Sequence, residues 1–235
     1  MAIDHHNHHE HGKHEHMLRQ ELICHFPYAT VSVAISFILL GVLEFMGTGL
    51  LLNSHQLQGG YHRLFHVLHY VHILFATAGT VMACARFSQG AIRSLIISFL
   101  SPAIFCTLSD VALPTLAGKL LGMNVHLHIC FFTSEGIVNV LPLMLVGLST
   151  GYAIAFHNRS ELHMLSLKSH FMHILISSLA ASCYVMSFGF HEWQDVMGLL
   201  FCLLVIAVVV PCTISDVVIP MYSAKWRWHN EKHSH

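Results

Sequence analysis

Apolar residues fall into six long runs separated by short polar segments. The runs cover roughly residues 27–52, 64–86, 94–117, 127–155, 168–189 and 196–222. A helix of about 20 residues crosses about 30 Å of hydrocarbon at a rise of about 1.5 Å per residue, and every run is long enough. The pattern predicts an all-α integral membrane protein with six transmembrane helices.

The segments outside these runs predict the domain organisation. Residues 1–22 are polar and rich in histidine, and such a tract has no apolar face to bury. We expect it to be a disordered cytoplasmic tail that collects metal ions weakly. A first membrane unit of three helices follows at 23–119, a second at 120–225, and a short cytoplasmic tail at 226–235.

Composition excludes several classes of protein. The chain is 54% hydrophobic and 10% charged, whereas a soluble domain is about 25% charged. No basic patch with interleaved aromatic residues indicates a nucleic-acid partner. The seven cysteines form no C-x-x-C pair, so neither a disulfide framework nor a zinc knuckle is indicated. Histidine is the anomaly, with 23 copies against 11 lysines and arginines.

The basic residues are distributed unevenly over the two sides of the membrane. With six spans, both termini and the second and fourth connections lie on one side. That side carries Lys13, Arg19, Arg86, Arg93, Arg159, Lys168, Lys225, Arg227 and Lys232. The other side carries only Arg63 and Lys119. By the positive-inside rule, both termini are predicted to be cytoplasmic, in a multi-pass protein of a cell (inner) membrane.

The two membrane units repeat each other. His62, His69 and His72 recur as His163, His170 and His173, and Cys-Thr-x-Ser-Asp-Val-x-x-Pro occurs at 106–114 and again at 212–220. A unit with an odd number of spans must be upside down in its second copy. Inverted-topology repeats are typical of secondary transporters, whose sites lie near the midplane. We therefore expect one copy of the motif on each side of the midplane.

The duplicated polar residues are the candidates for chemistry. An ionisable side chain at membrane depth costs about 2.5–3.5 kcal/mol, so it needs a partner or a wet cavity. Imidazole and carboxylate together suit divalent iron, zinc, manganese, nickel or cobalt. The candidate metal ligands are His69, His72, Asp110, His170, His173, Asp216, His62, His163, Glu44 and Glu135. His66 ranks lower because Leu167 takes its place in the second copy.

These features favour a transporter for a divalent transition-metal ion, with iron or zinc preferred, over an enzyme. The expected partners are the metal ion and the lipid bilayer. The sequence is also compatible with a homo-oligomer. The alternative is a membrane redox protein that holds b-type haem between His72 and His173, or another histidine-ligated metal. A purely structural role, in which the histidines form hydrogen bonds between helices, also stays open.

Overall fold

The described part of the chain is entirely helical. The computed structural model describes residues 4–87, 90–130, 133–157, 162–189 and 193–224, and no strand occurs in these ranges. The α-helices are α1 (Asp4–Gly49), α2 (Ser54–Arg86), α3 (Ala91–Thr107), α4 (Leu113–Leu120), α5 (Ser134–His157), α6 (Leu162–Gly189) and α7 (Met197–Thr213). Two π-helical segments are inserted, π1 (Leu108–Ala112) and π2 (Ile214–Val218).

Within the described ranges, six helical spans are long and apolar enough to cross a membrane, as predicted. They are His25–Gly49, Ser54–Arg86, Ala91–Leu120, Gly136–His157, His170–Phe188 and Met197–Ala224. The third span joins α3, π1 and α4, and the sixth continues from α7 through π2. The protein is therefore a multi-pass membrane protein in a bilayer environment.

The first helix is longer than the first apolar run. Its backbone continues back to Asp4, through most of the histidine-rich tract for which the sequence predicts disorder. The side chains of residues 4–22 are outside the described set. Pro27 lies inside this helix, near the point where the apolar run begins.

Helices α2 and α6 form the centre of the bundle. In the most apolar stretch of each, 67% of the residues are buried, against 28% for the first and fourth spans. Large apolar side chains such as Ile38, Phe45 and Val138 are exposed on those outer spans, whereas Asp110 and His69 are completely buried. Apolar residues thus face the lipid and ionisable residues face the interior, as the bilayer requires.

Small residues bring α5 against α2. A Cβ atom built on Gly147 would lie 2.6 Å from the carbonyl oxygen of Leu74, and one on Gly151 would lie 2.8 Å from that of Ala78. No larger side chain fits at either position. This small-xxx-small spacing is a common way for membrane helices to pack without a hydrophobic driving force.

Both Ser-Asp motifs lie in π-helical turns, each followed by a proline. Pro114 has no N–H to donate to the carbonyl of Asp110, and its ring crowds that carbonyl; Pro220 stands in the same relation to Asp216. In each segment the next backbone N–H bonds the carbonyl five residues earlier, from Leu113 to Leu108 in π1. The sequence predicts weakened helices at these positions, and the structure has a widened turn at both.

Candidate metal centre

In the first half of the chain, one carboxylate joins two histidines. Asp110 on π1 places Oδ2 at 2.8 Å from Nδ1 of His69 and at 2.7 Å from Nδ1 of His72. The histidines lie three residues apart on α2, so their rings point the same way. All three side chains are buried, with exposures of 1% or less. A buried carboxylate of this kind is stable only with such partners.

The second half contains the corresponding arrangement. Oδ2 of Asp216 on π2 lies 3.1 Å from Nδ1 of His170 and 3.1 Å from Nδ1 of His173. The contact with His170 is a hydrogen bond, whereas His173 is close enough to pair electrostatically but lacks hydrogen-bond geometry. We call the six residues His69, His72, Asp110, His170, His173 and Asp216 the His/Asp cluster.

The two halves of the cluster touch. The rings of His72 and His173 have centroids 5.5 Å apart, and the Cys212 thiol lies beside them. One ligand atom from each of these three residues falls within 4.8 Å of the others, as does one from each of His170, His173 and Asp216. The two groups of ligands predicted from the sequence thus form one continuous cluster. The Cys106 thiol adds a contact of 3.7 Å to Nε2 of His72.

Each aspartate also accepts a hydrogen bond from a hydroxyl of the opposite half. Ser177 on α6 donates to Oδ1 of Asp110 at 2.7 Å, and Thr80 on α2 donates to Oδ1 of Asp216 at 3.3 Å. Ser109 adds a second donor to Oδ1 of Asp110 at 2.8 Å. The carboxylates are therefore held in orientation from both sides.

Three imidazole Nε2 nitrogens of the cluster are buried without a hydrogen-bond partner. Nε2 is buried and unpartnered in His69, His170 and His173. A histidine that ligates a metal commonly donates Nδ1–H to a carboxylate and ligates through Nε2. His69 and His170 have this form, so their imidazoles fit as metal ligands and the aspartates fit as the groups that orient them.

The cluster belongs to a longer row of imidazoles. In spatial order the row contains His25, His170, His173, His72, His69, His66 and His62. Ring centroids are 4.0 Å apart at His25–His170, 4.6 Å at His170–His173 and 4.6 Å at His62–His66. His66 and His69 lie one helical turn apart on α2. We call this row the histidine file.

The file extends through much of the bundle. His25 is the first residue of span 1, and His62 lies near the beginning of span 2. The connection between these spans, residues 50–53, is too short to recross the membrane, so the two spans begin at opposite ends of the bundle. Successive imidazoles therefore lead from one end towards the other.

Two of the other predicted residues, Glu44 and His62, have their contacts outside the His/Asp cluster. Glu44 is apart from the cluster. Both of its carboxylate oxygens accept from Nε2 of Gln194 at 3.1 Å. His62 contacts His66 and His128 instead of Asp110. The side chains of His163 and Glu135 lie outside the described residues.

Sequence reasoning did not single out several residues of the site. His25 carries no sequence signal, because it stands alone between the polar tract and the first apolar run. Neither Ser177 nor Thr80 is duplicated. In the other half of the chain, Ala76 stands at the position that matches Ser177, and Ala181 at the position that matches Thr80. Cys212, by contrast, is indicated by the sequence as a possible thiol ligand, because it lies four residues before Asp216 on the same helical face and recurs as Cys106 before Asp110.

Comparison with known proteins gives no match to a family profile, to a curated protein or to a solved structure. The assignment of function therefore depends on the residues of the chain itself.

Proposed function

We propose that this protein is a membrane transporter for a divalent transition-metal ion. The histidine file carries the proposal, because it offers a succession of ligands that leads across the bundle through the His/Asp cluster. An ion passed along such a file is never far from the next donor, which lowers the cost of moving a charge through an apolar interior. The metal ion is the substrate.

The charge of the cluster supports a cation as its occupant. Asp110 and Asp216 are both buried, with exposures of 0% and 6%. Neutral imidazoles stabilise a carboxylate by hydrogen bonding but do not offset its charge. A divalent ion held on Nε2 atoms would balance two carboxylates through the imidazoles that connect them.

The donor types narrow the choice of ion. Imidazole nitrogens dominate the cluster, with carboxylates behind them and the Cys212 thiol beside His72 and His173. Such a set suits zinc, iron(II), cobalt or nickel better than magnesium or calcium, which prefer oxygen ligands. Zinc and iron(II) are the preferred candidates, followed by cobalt, nickel and manganese.

The proposal includes an inverted relation between the two halves. It is supported by their matching contacts: each aspartate lies on a π-helical turn, pairs with two histidines three residues apart, and accepts from a hydroxyl of the other half. Two like sites related in this way would let an ion enter from either side and reach the other by the same chemistry.

Replacement of one aspartate tests the transport proposal. We expect Asp110→Asn to lower metal flux into proteoliposomes about 10- to 100-fold, the usual cost of losing a carboxylate that orients metal-ligating histidines. Asp216→Asn should act in the same way. Zinc or iron(II) entry is measured with an indicator trapped inside the vesicles.

Asp195→Asn is the matched control, because Asp195 is an exposed carboxylate outside the spans. It should leave the flux unchanged. Wild-type flux in both cluster variants, with equal amounts of protein in the vesicles, would contradict the proposal.

Haem binding is the second candidate, favoured by one observation. The rings of His72 on α2 and His173 on α6 lie with centroids 5.5 Å apart, and b-type haem takes one axial histidine from each of two helices. The absorption spectrum of the purified protein separates the two functions. Transport predicts no Soret band, and a stoichiometric Soret band lost in His72→Ala would assign the protein to redox chemistry.

A further inference from the structure

A second group of metal-ligating side chains lies at the far end of the histidine file. His66 places Nε2 at 3.2 Å from Nε2 of His62 and Nδ1 at 3.5 Å from the Cys130 thiol. His128 lies against both histidines, with ring centroids 5.9 Å from His62 and 5.6 Å from His66. One ligand atom from each of His66, His128 and Cys130 falls within 4.8 Å of the others. We call these four residues the His/Cys cluster.

The cluster joins two distant parts of the chain. His62 and His66 are one turn apart on α2, whereas His128 and Cys130 belong to the connection between α4 and α5. Both side chains face α2, since the His128 ring packs against His62 and His66 and the Cys130 thiol contacts His66. The motif is absent from the second half, where Leu167 stands in place of His66. Duplication of a shared packing pattern therefore does not account for it.

The connection is held in place by a buried tyrosine. The Tyr184 hydroxyl on α6 donates to the carbonyl of His126 at 2.6 Å and accepts from the N–H of His128 at 2.9 Å. The hydroxyl of Thr133 donates to the carbonyl of Cys130 at 2.9 Å. These bonds fix the backbone on both sides of the ligand pair, which reduces the ordering cost of binding.

The donors are those of a zinc-type site. Two imidazoles and one thiol converge without a carboxylate, and zinc and cobalt(II) accept such donors in a tetrahedral site whose fourth position is left to His62 or to water. Burial raises the pKa of the Cys130 thiol to about 11, so the free thiol is protonated at neutral pH and gives up its proton on binding. The alternative to a role as a metal ligand is a packing role, because buried thiols commonly behave as small apolar side chains.

We propose that His66, His128 and Cys130, with His62 beside them, form a second transition-metal site, separate from the His/Asp cluster and specific for ions of the zinc and cobalt(II) type. It holds its ion near one end of the bundle, where His62 and His128 are only partly buried. The site does not depend on transport, since it requires only that these side chains bind metal.

Cobalt(II) titration of the purified full-length protein tests the site. A cobalt–thiolate bond gives a near-ultraviolet charge-transfer band that histidine-only sites lack. The histidine-rich segment 5–16 contains no cysteine, so it cannot contribute to this band. We expect Cys130→Ser to lose a cobalt–thiolate component and one bound ion per chain. Cys183→Ser is the matched control, because Cys183 is an equally buried free thiol.

Two further variants separate the sites and guard against misfolding. His128→Ala removes a partly exposed ring and should shift the band and weaken cobalt binding at least tenfold, while the elution profile in detergent stays normal. Asp110→Asn should leave the Cys130 component of the band intact even where it abolishes flux. Equal bands in Cys130→Ser and Cys183→Ser, together with unchanged affinity in His128→Ala, would overturn the proposal.

Discussion

At the scale of single residues, the two aspartates determine the character of the interior. Asp110 Oδ2 contacts two imidazoles while Oδ1 accepts from two hydroxyls, so this carboxylate is held by four polar side chains within the bundle. The sequence identifies this aspartate and its histidines, because they recur in both halves. It does not identify Ser177, because a serine on a membrane helix usually bonds its own backbone.

Removal of the Ser177 hydroxyl should be costly. A hydrogen bond to a charged group contributes about 1.5–3 kcal/mol, so Ser177→Ala is expected to lower stability by that amount and to weaken metal binding. The thermal midpoint in detergent and the affinity for zinc measure the two effects.

Ser178→Ala is the control for this change, since the Ser178 hydroxyl bonds the carbonyl of Ile174 in its own helix at 2.9 Å. It should alter stability by less than about 0.5 kcal/mol. If the two substitutions lowered stability and zinc affinity equally, the hydrogen bond from Ser177 to Asp110 would make no specific contribution to either.

At the scale of elements, π1 and π2 bring the two aspartates to the histidines of α2 and α6. The π-helical turns place both aspartates against α2 and α6, and such turns are frequent at functional sites. Pro114 and Pro220 are visible in the sequence and predict a local disturbance. The disturbance takes the form of a widened turn and not of a break in the helix. This form depends on the neighbouring helices, which keep the span continuous.

The packing of α5 on α2 predicts a sensitive glycine. A Cβ built on Gly151 would lie 2.7 Å from Cβ of Val81 and 2.8 Å from the carbonyl oxygen of Ala78. Gly151→Ala should therefore push the helices apart and cost about 1–3 kcal/mol, as overpacking does. Thermal unfolding in detergent measures the change.

Gly41→Ala is the matched substitution, because a Cβ at Gly41 has no atom within 4 Å. It should be neutral or slightly stabilising, since alanine is the better helix former. A Gly151→Ala variant as stable as Gly41→Ala would contradict the close packing of these helices.

At the scale of the whole molecule, the bundle is built inside out relative to a soluble protein. Ionisable groups occupy its centre, on and between α2 and α6, and apolar side chains cover its outside. The location of charge in the connections predicts how this bundle is oriented in the membrane.

Cysteine labelling in intact cells tests that orientation. The positive-inside rule predicts that Asn53→Cys, between α1 and α2, reacts with a membrane-impermeant maleimide from outside. Gly90→Cys, between α2 and α3, should react only after permeabilisation. The wild-type chain gives the background from its own cysteines, and the reverse labelling pattern would place both termini outside.

The sequence by itself determined the class of the protein, its six spans and the identity of the duplicated histidines and aspartates. These follow from local properties, namely the length of apolar runs and the recurrence of residue types. Only the tertiary structure decided that His72 meets His173, that His25 extends the file, and that His66 joins Cys130. Each of these contacts links residues that lie far apart in the chain, and their distances depend on how the helices pack.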